Sequence, residues 1–220
     1  MRAPVVLVTD PRYGLEHTAQ VIRWAAAALG PRRLVVQLRD KASNQGDLSV
    51  MARALREVTR EAGALLVLNG DARLAHAVGA DGLHLPSAAP DGKASLASRV
   101  ADARALLGDG AIITAAAHDD EAVRTADRAG ATAVLVSPVF ATPGKAPARG
   151  VAAIASARAI VDASRRVPAL LVYALGGITA GTASACYEAG ADGVAAIRSL
   201  HDAAGEPGVT AATLALAERP

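Results

Sequence analysis

Short apolar runs rich in Val, Ile and Leu alternate with longer Ala-rich stretches along the whole chain. The apolar runs fall at 5–10, 34–39, 65–69, 82–85, 111–115, 133–137, 169–174 and 193–197. Several are apolar without a break, the pattern of strands buried on both faces of a parallel sheet. Amphipathic segments lie between them, among them 47–61, 119–129, 151–164 and 179–189, with a final helix near 209–218. Eight such strand–helix units in 220 residues predict an α/β protein, a single (β/α)8 TIM barrel filling 1–220 as one domain. An open Rossmann-type sheet is the runner-up, and it is disfavoured because no Gly-x-Gly-x-x-Gly follows the first strand.

Three related pieces punctuate this pattern: Val-Gly-Ala-Asp-Gly-Leu at 78–83, Ala-Gly-Ala-Thr-Ala-Val at 129–134 and Ala-Gly-Ala-Asp-Gly-Val at 189–194. Each ends a helix at Gly and launches a strand, so they read as repeated αβ turns at the bottom of the barrel. The stretch 141–150, with its Gly and Pro, follows the sixth strand on the opposite face and reads as a lid.

Composition narrows the partners. Net charge is +2, too small an excess for a polyanion-binding field, although the pI is 9.0. Aromatics are 2%, leaving few platforms for base stacking, so no nucleic acid is expected. Cys186 is the only cysteine, which excludes an intrachain disulfide and a multi-cysteine metal site. No apolar run is long enough to span a bilayer, and the first ten residues lack the features of a signal peptide. The expectation is a cytoplasmic protein with no membrane association.

The end of the second strand carries the most chemistry. Side chains alternate along a strand, so Gln37, Arg39 and Lys41 share one face while Val36 and Leu38 take the other. Three polar groups at a C-terminal strand end make a floor for an anion. Gly176 and Gly177 follow the seventh strand, where the backbone can approach a phosphate closely; Arg198 and Ser199 end the eighth and complete that site. Asn69 ends the third strand as either a substrate contact or a helix cap, with Asp71 two residues on. His84 on the fourth strand reads first as a hydrogen-bonded interior residue. His118 precedes Asp119, Asp120 and Glu121, whose charge suits a helix N-terminus better than a metal cluster. Cys186 reads as packing, Trp24 as a buried helix face, and Phe140 as lining the pocket mouth.

Six motifs occur in order: Val-Val-Gln-Leu-Arg-Asp-Lys, Asn-Gly-Asp-Ala-Arg-Leu-Ala, Ala-Asp-Gly-Leu-His-Leu-Pro, Ser-Pro-Val-Phe-Ala-Thr-Pro-Gly-Lys, Leu-Gly-Gly-Ile-Thr and Ala-Gly-Ala-Asp-Gly-Val-Ala-Ala-Ile. Together they resemble the thiamine phosphate synthase and TenI superfamily, over nearly the whole chain. The synthases join a hydroxymethylpyrimidine pyrophosphate to a thiazole phosphate and release pyrophosphate. The resemblance implies that Gln37, Arg39 and Lys41 face the pyrophosphate, with Asn69 beside it. It places Thr142 and Lys145 on a mobile loop near the substrates, and Gly176 and Gly177 against the thiazole phosphate. Arg39, Lys41 and Lys145 would be the catalytic cations, since a departing pyrophosphate needs fixed positive charge. A homo-oligomer is a further expectation.

The chain also departs from the synthase pattern. Gly70 and Ala89 stand where synthases carry the aspartates that hold Mg2+, so the metal is expected to be weakly bound or absent, with Asp71 the remaining candidate ligand. Ala116 replaces a pyrimidine-contacting serine, and Gly144 the second threonine of the loop. Asn69-Gly70, Leu85-Pro86-Ser87 and Ala148-Arg149-Gly150 are similar to the TenI branch, whose members are thiazole tautomerases. The histidine used by that branch falls at Pro138, so tautomerase chemistry would need a relocated base, His84 first. Synthase leads; the alternatives are this tautomerase and a non-catalytic binder of a phosphorylated thiazole-like ligand.

Overall fold

A computed structural model describes residues 4–40, 43–87, 92, 94–144 and 146–220. Its eight strands are β1 (Val5–Val8), β2 (Leu34–Leu38), β3 (Leu65–Asn69), β4 (Gly82–Leu85), β5 (Ile112–Ala117), β6 (Ala133–Val136), β7 (Leu171–Leu175) and β8 (Gly193–Ala196). All pair in parallel and in chain order, and β1 also pairs with β8, closing the barrel. The helices are α1 (Gly14–Leu29), α2 (Gln45–Glu61), α3 (Ala72–Ala77), α4 (Leu96–Leu107), α5 (Asp120–Arg128), α6 (Ala152–Ser164), α7 (Ala180–Glu188), α8 (Arg198–His201) and α9 (Gly205–Ala217). Every expected apolar run contains a strand. The seventh starts two residues later than expected, where Leu171 N–H first reaches Thr132 O at 3.1 Å.

The strand alternation sorts the apolar residues into two cores. Val6, Val8, Val35, Leu65, Val67, Ile112, Leu135 and Tyr173 fill the barrel interior. Leu7, Val36, Leu66, Leu68, Ile113 and Val134 point the other way and pack under the helices. Each buried aliphatic side chain contributes about 1.5–3 kcal/mol relative to exposure. Both layers are therefore needed, and neither face of a strand is spare.

The repeated turns have one construction. Gly190 has φ +97° and ends α7, with Ala191 N–H reaching back to Cys186 O at 3.0 Å. Ala80 to Ala75 and Ala131 to Ala126 repeat this bond at 2.9 and 3.0 Å. Such 6→1 closure satisfies carbonyls that a helix end would leave open. The residue after each small-residue turn then ties itself to the preceding strand. Asp81 accepts from Leu66 N–H at 2.9 Å and from Arg56 at 2.7 Å. Asp192 accepts from Val172 N–H at 2.8 Å and from Arg158 at 3.2 Å, and Thr132 Oγ1 accepts from Ile113 N–H at 3.1 Å. The similarity of the three pieces thus reflects folding.

Substituting Asp81→Ala should therefore cost about 1–3 kcal/mol, because it strips partners from the Leu66 N–H and the Arg56 guanidinium together. Urea unfolding should show a lower midpoint with an unchanged slope. An unaltered midpoint would remove this contact from the account of the turns.

Candidate active site

Polar side chains gather at the C-terminal ends of the strands in two groups, across the mouth from each other. The first group lies on β2, β3 and β4. Gln37 follows Val35 on the interior face of β2 and is buried, in register with Val8 and Val67. Arg39, two residues on, continues that face. Its N–H donates to Thr9 Oγ1 at 3.0 Å, which ties the end of β2 to the end of β1. Asn69 and His84 are register partners, as are His84 and Thr114, so these three stand side by side around the wall.

The helix cap falls on Asp71 and not on Asn69. Asp71 Oδ1 accepts from Leu74 N–H at 2.8 Å and caps α3, which leaves Asn69 on the interior register of β3. Asp71 itself lines a cleft with Arg73 and Asp102, between α3 and α4. One of its carboxylate oxygens is thus committed to the helix cap. Magnesium takes oxygen ligands and often uses one or two carboxylates. Position 70 is a glycine, and among the described residues no group of three or more His, Cys, Asp or Glu side chains could hold an ion. The described residues alone supply no ready-made cation site.

His84 is 6% exposed and places Nδ1 2.9 Å from Thr114 Oγ1. Burial, then the positive charges of Arg39 and Arg99, push it down to about 4. At that value it is neutral at pH 7, a weak base that serves as a hydrogen-bonding wall residue.

The second group lies on β7 and β8. Gly176, Gly177, Ile178, Arg198, Ser199 and Thr142 line a cavity of about 410 Å³. Gly177 has φ +65°, and a Cβ there would sit 2.7 Å from Phe140 Cβ, so only glycine lets the turn pass under the loop. Ser199 Oγ is buried with no hydrogen-bond partner among the described residues. A buried hydroxyl left open is costly unless something binds it. Arg198 is exposed at the rim. Thr142 Oγ1 donates to Phe140 O at 3.2 Å, and Phe140 is half-buried against Gly177. Lys41 and Lys145 lie outside the described residues.

The Arg99 and Tyr13 contacts were not legible beforehand; His118, Asp119, Cys186 and Trp24 were singled out in the sequence. Arg99 of α4 donates to Pro86 O at 2.9 Å and so crosses the end of β4. His118 Nδ1 lies 2.8 Å from Ser137 O. Asp119 caps α5, accepting from Ala122 N–H at 2.7 Å, so the acidic triplet is helix-terminal charge. Tyr13 stacks on His17 and His201, with centroids 5.5 and 4.4 Å away, beside the second cavity. Cys186 is buried and pushed up to about 11, an inert packing thiol. Trp24 is partly buried against the outer core.

The chain is a closed parallel barrel, and its glycine-floored cavity lies after β7 and β8, where such barrels frequently hold phosphate. Residues 5–200 match the family model described as thiamine monophosphate synthase, and the chain belongs to that family. The thiamine-phosphate synthase of Methanoculleus marisnigri is 39% identical over 97% of this chain and 93% of its own. That of Chromobacterium violaceum is 37% identical over 84% of this chain and 83% of its own. The thiamine phosphate pyrophosphorylase structure from Pyrococcus furiosus superposes with a TM-score of 0.75 at 26% identity, covering 98% of this chain and 94% of that one. Among the described residues no helix is long and apolar enough to cross a membrane.

The buried imidazole gives a pH prediction. His84 falls from an ordinary 6.5 to about 4 on folding, so between these values the unfolded chain binds a proton that the folded one refuses. Stability is therefore fully present above pH 6.5 and falls as pH drops towards 4, by at most about 3 kcal/mol from this residue. His201, buried and also pushed to about 4, acts in the same direction. Urea midpoints from pH 7 to 4.5 should decline, and the decline should be shallower in His84→Gln. Equal slopes for the two proteins would rule out His84 as a source.

Proposed function

We propose that this protein joins a hydroxymethylpyrimidine pyrophosphate to a thiazole phosphate and releases pyrophosphate, acting as one barrel domain. The observation that carries the reading is the pairing of two anion-sized polar sites across one mouth. Ser199 Oγ, open and buried beside Gly176 and Gly177, suits the phosphate of the thiazole. Gln37, Arg39 and Asn69 suit the pyrophosphate at the other side.

The chemistry follows from that separation. Two substrates held at their charged ends leave their reacting atoms facing the space between. Fixing both converts a bimolecular encounter into a positioned one. The bond between the pyrimidine's methylene carbon and the pyrophosphate oxygen breaks, and both electrons leave with the oxygen. The thiazole nitrogen supplies the pair for the new carbon–nitrogen bond. Arg39 stabilises the charge growing on the leaving oxygens. Neutral His84 and Thr114 present hydrogen-bonding groups to the deep wall without adding charge. In the family Mg2+ would share the pyrophosphate's charge; the described residues alone supply no ready-made site for it, and no step here passes through it. Lys41 and Lys145 are proposed as further cations on sequence grounds.

Incubation with both precursors should yield thiamine phosphate by mass spectrometry. Ser199→Ala should weaken thiazole phosphate binding about tenfold, near 1.4 kcal/mol, in keeping with one lost hydrogen bond to a charged group. Calorimetry reads this directly. Glycine 177 is a poorer probe, because any Cβ there collides with Phe140. Turnover absent while thiazole phosphate still binds would favour the non-catalytic binder. Neither turnover nor binding would end both readings.

A further inference from the structure

The cavity after β7 and β8 takes part of its wall from a helix too short to hold itself. α8 is a single turn, Arg198–His201, closed by His201 N–H to Ile197 O at 3.1 Å and Asp202 N–H to Arg198 O at 2.7 Å. One turn fixes several dihedrals for few hydrogen bonds, so its place must come from contacts outside it. The loop after β1 supplies them. Asp10 caps the short 3-10 turn Pro11–Tyr13, accepting from Arg12 N–H at 3.1 Å. Tyr13, the last residue of that turn, reaches the end of α8 across the seam where β1 pairs with β8. Its ring centroid lies 4.4 Å from that of the buried His201, with the planes 9° apart. Its hydroxyl donates to Asp202 Oδ1 at 2.5 Å. His17 of α1 adds a third tie, with Nε2 2.9 Å from His201 O. Arg198, Ser199 and Asp202 all line the cavity with Gly176 and Gly177.

We infer that Tyr13 is a positioning residue for this cavity: it anchors α8 and thereby sets where Ser199 Oγ stands. This rests on the assignment of the thiazole phosphate to the cavity. Tyr13 acts without touching the ligand, because a helical turn moves as a unit. Ser199 and Asp202 are separated by only about 4.5 Å along the helix axis. A hydrogen bond weakens steeply as its distance and angle depart from their preferred values. A small shift of α8 therefore costs the bond that Ser199 offers to a phosphate oxygen. The stack on His201 fixes the turn sideways, and the bond to Asp202 fixes it along the seam.

The test is calorimetry of the full chain with thiazole phosphate, on the wild type, Tyr13→Phe, Ser199→Ala and the double variant. Tyr13→Phe keeps the ring and its stack but loses the bond to Asp202. It should weaken binding about fivefold, within what one hydrogen bond contributes. Ser199→Ala alone should lose about tenfold. The double variant should also lose about tenfold, and not the roughly fiftyfold of independent sites, because Tyr13 acts through Ser199. In turnover, Tyr13→Phe should raise the KM for thiazole phosphate. It should leave kcat and the KM for the pyrimidine pyrophosphate within about twofold of the wild type. A role confined to stability would move only the unfolding midpoint. The anchor is overturned if folded Tyr13→Phe binds as the wild type does, or if the two losses multiply. Circular dichroism on each variant establishes that it is folded. A wild type that binds no thiazole phosphate would end the assignment of the cavity and the anchor with it. Turnover that ignores Tyr13 would leave the proposed reaction standing without the anchor. Coupled losses of binding with no turnover would leave the anchor standing without the reaction.

Discussion

β1 hydrogen-bonds to β2 on one side and to β8 on the other, and everything at the mouth depends on that closure. In an open sheet, residues on one face of a strand meet a layer of helices. In a closed barrel, the same residues meet one another. Gln37, Asn69, His84 and Thr114 share a wall only because consecutive strands hold a fixed register around the ring. The interior below them is packed with Val, Leu, Ile and Tyr173, so ligands are confined to the upper end. The turns at the bottom then maintain the register. Asp81 and Asp192 each clamp a strand's N–H to an arginine, far from any ligand. Chemistry and folding occupy opposite ends of the same strands.

The two sides of the mouth handle negative charge by different means. The side formed by β7 and β8 is built from small residues and an open hydroxyl, with one exposed arginine at its rim. Backbone and hydroxyl donors hold a monoester phosphate in a set orientation and ask little of net charge. The side formed by β2 to β4 carries the full charge of Arg39, which in the proposed reaction suits a pyrophosphate that gains negative charge as its bond breaks. Preorganised cations act most strongly where they need not move during the reaction. Arg39 is held by Thr9 at its backbone.

Much of this was legible in the residues themselves. Continuous apolar runs marked the strands, and parity along β2 put Gln37 and Arg39 on one face. Glycine at 176 and 177 announced the cavity after β7, and Ser199 completed it. Asn69 was ambiguous because a strand-end asparagine and a helix-capping asparagine read alike; Asp71 takes the cap and resolves it. For His84, no local pattern shows how weak a base it is. Its weak basicity comes from burial and from arginines on two other elements. Arg99 was invisible for the same reason, since a lone arginine on a helix face says nothing about the strand end it crosses.

The neutral histidine links these observations. A protonated His84 would place a third positive charge near Arg39 and Arg99, on a side chain that is itself buried. Removing that proton costs little, because burial already disfavours it and Thr114 provides a hydrogen-bond partner for the neutral ring. The wall therefore keeps its polarity while its charge stays on groups that cannot titrate. Guanidinium charge is constant across the physiological range, whereas imidazole charge is not. A site built this way presents the same field to an anion at pH 6 as at pH 8.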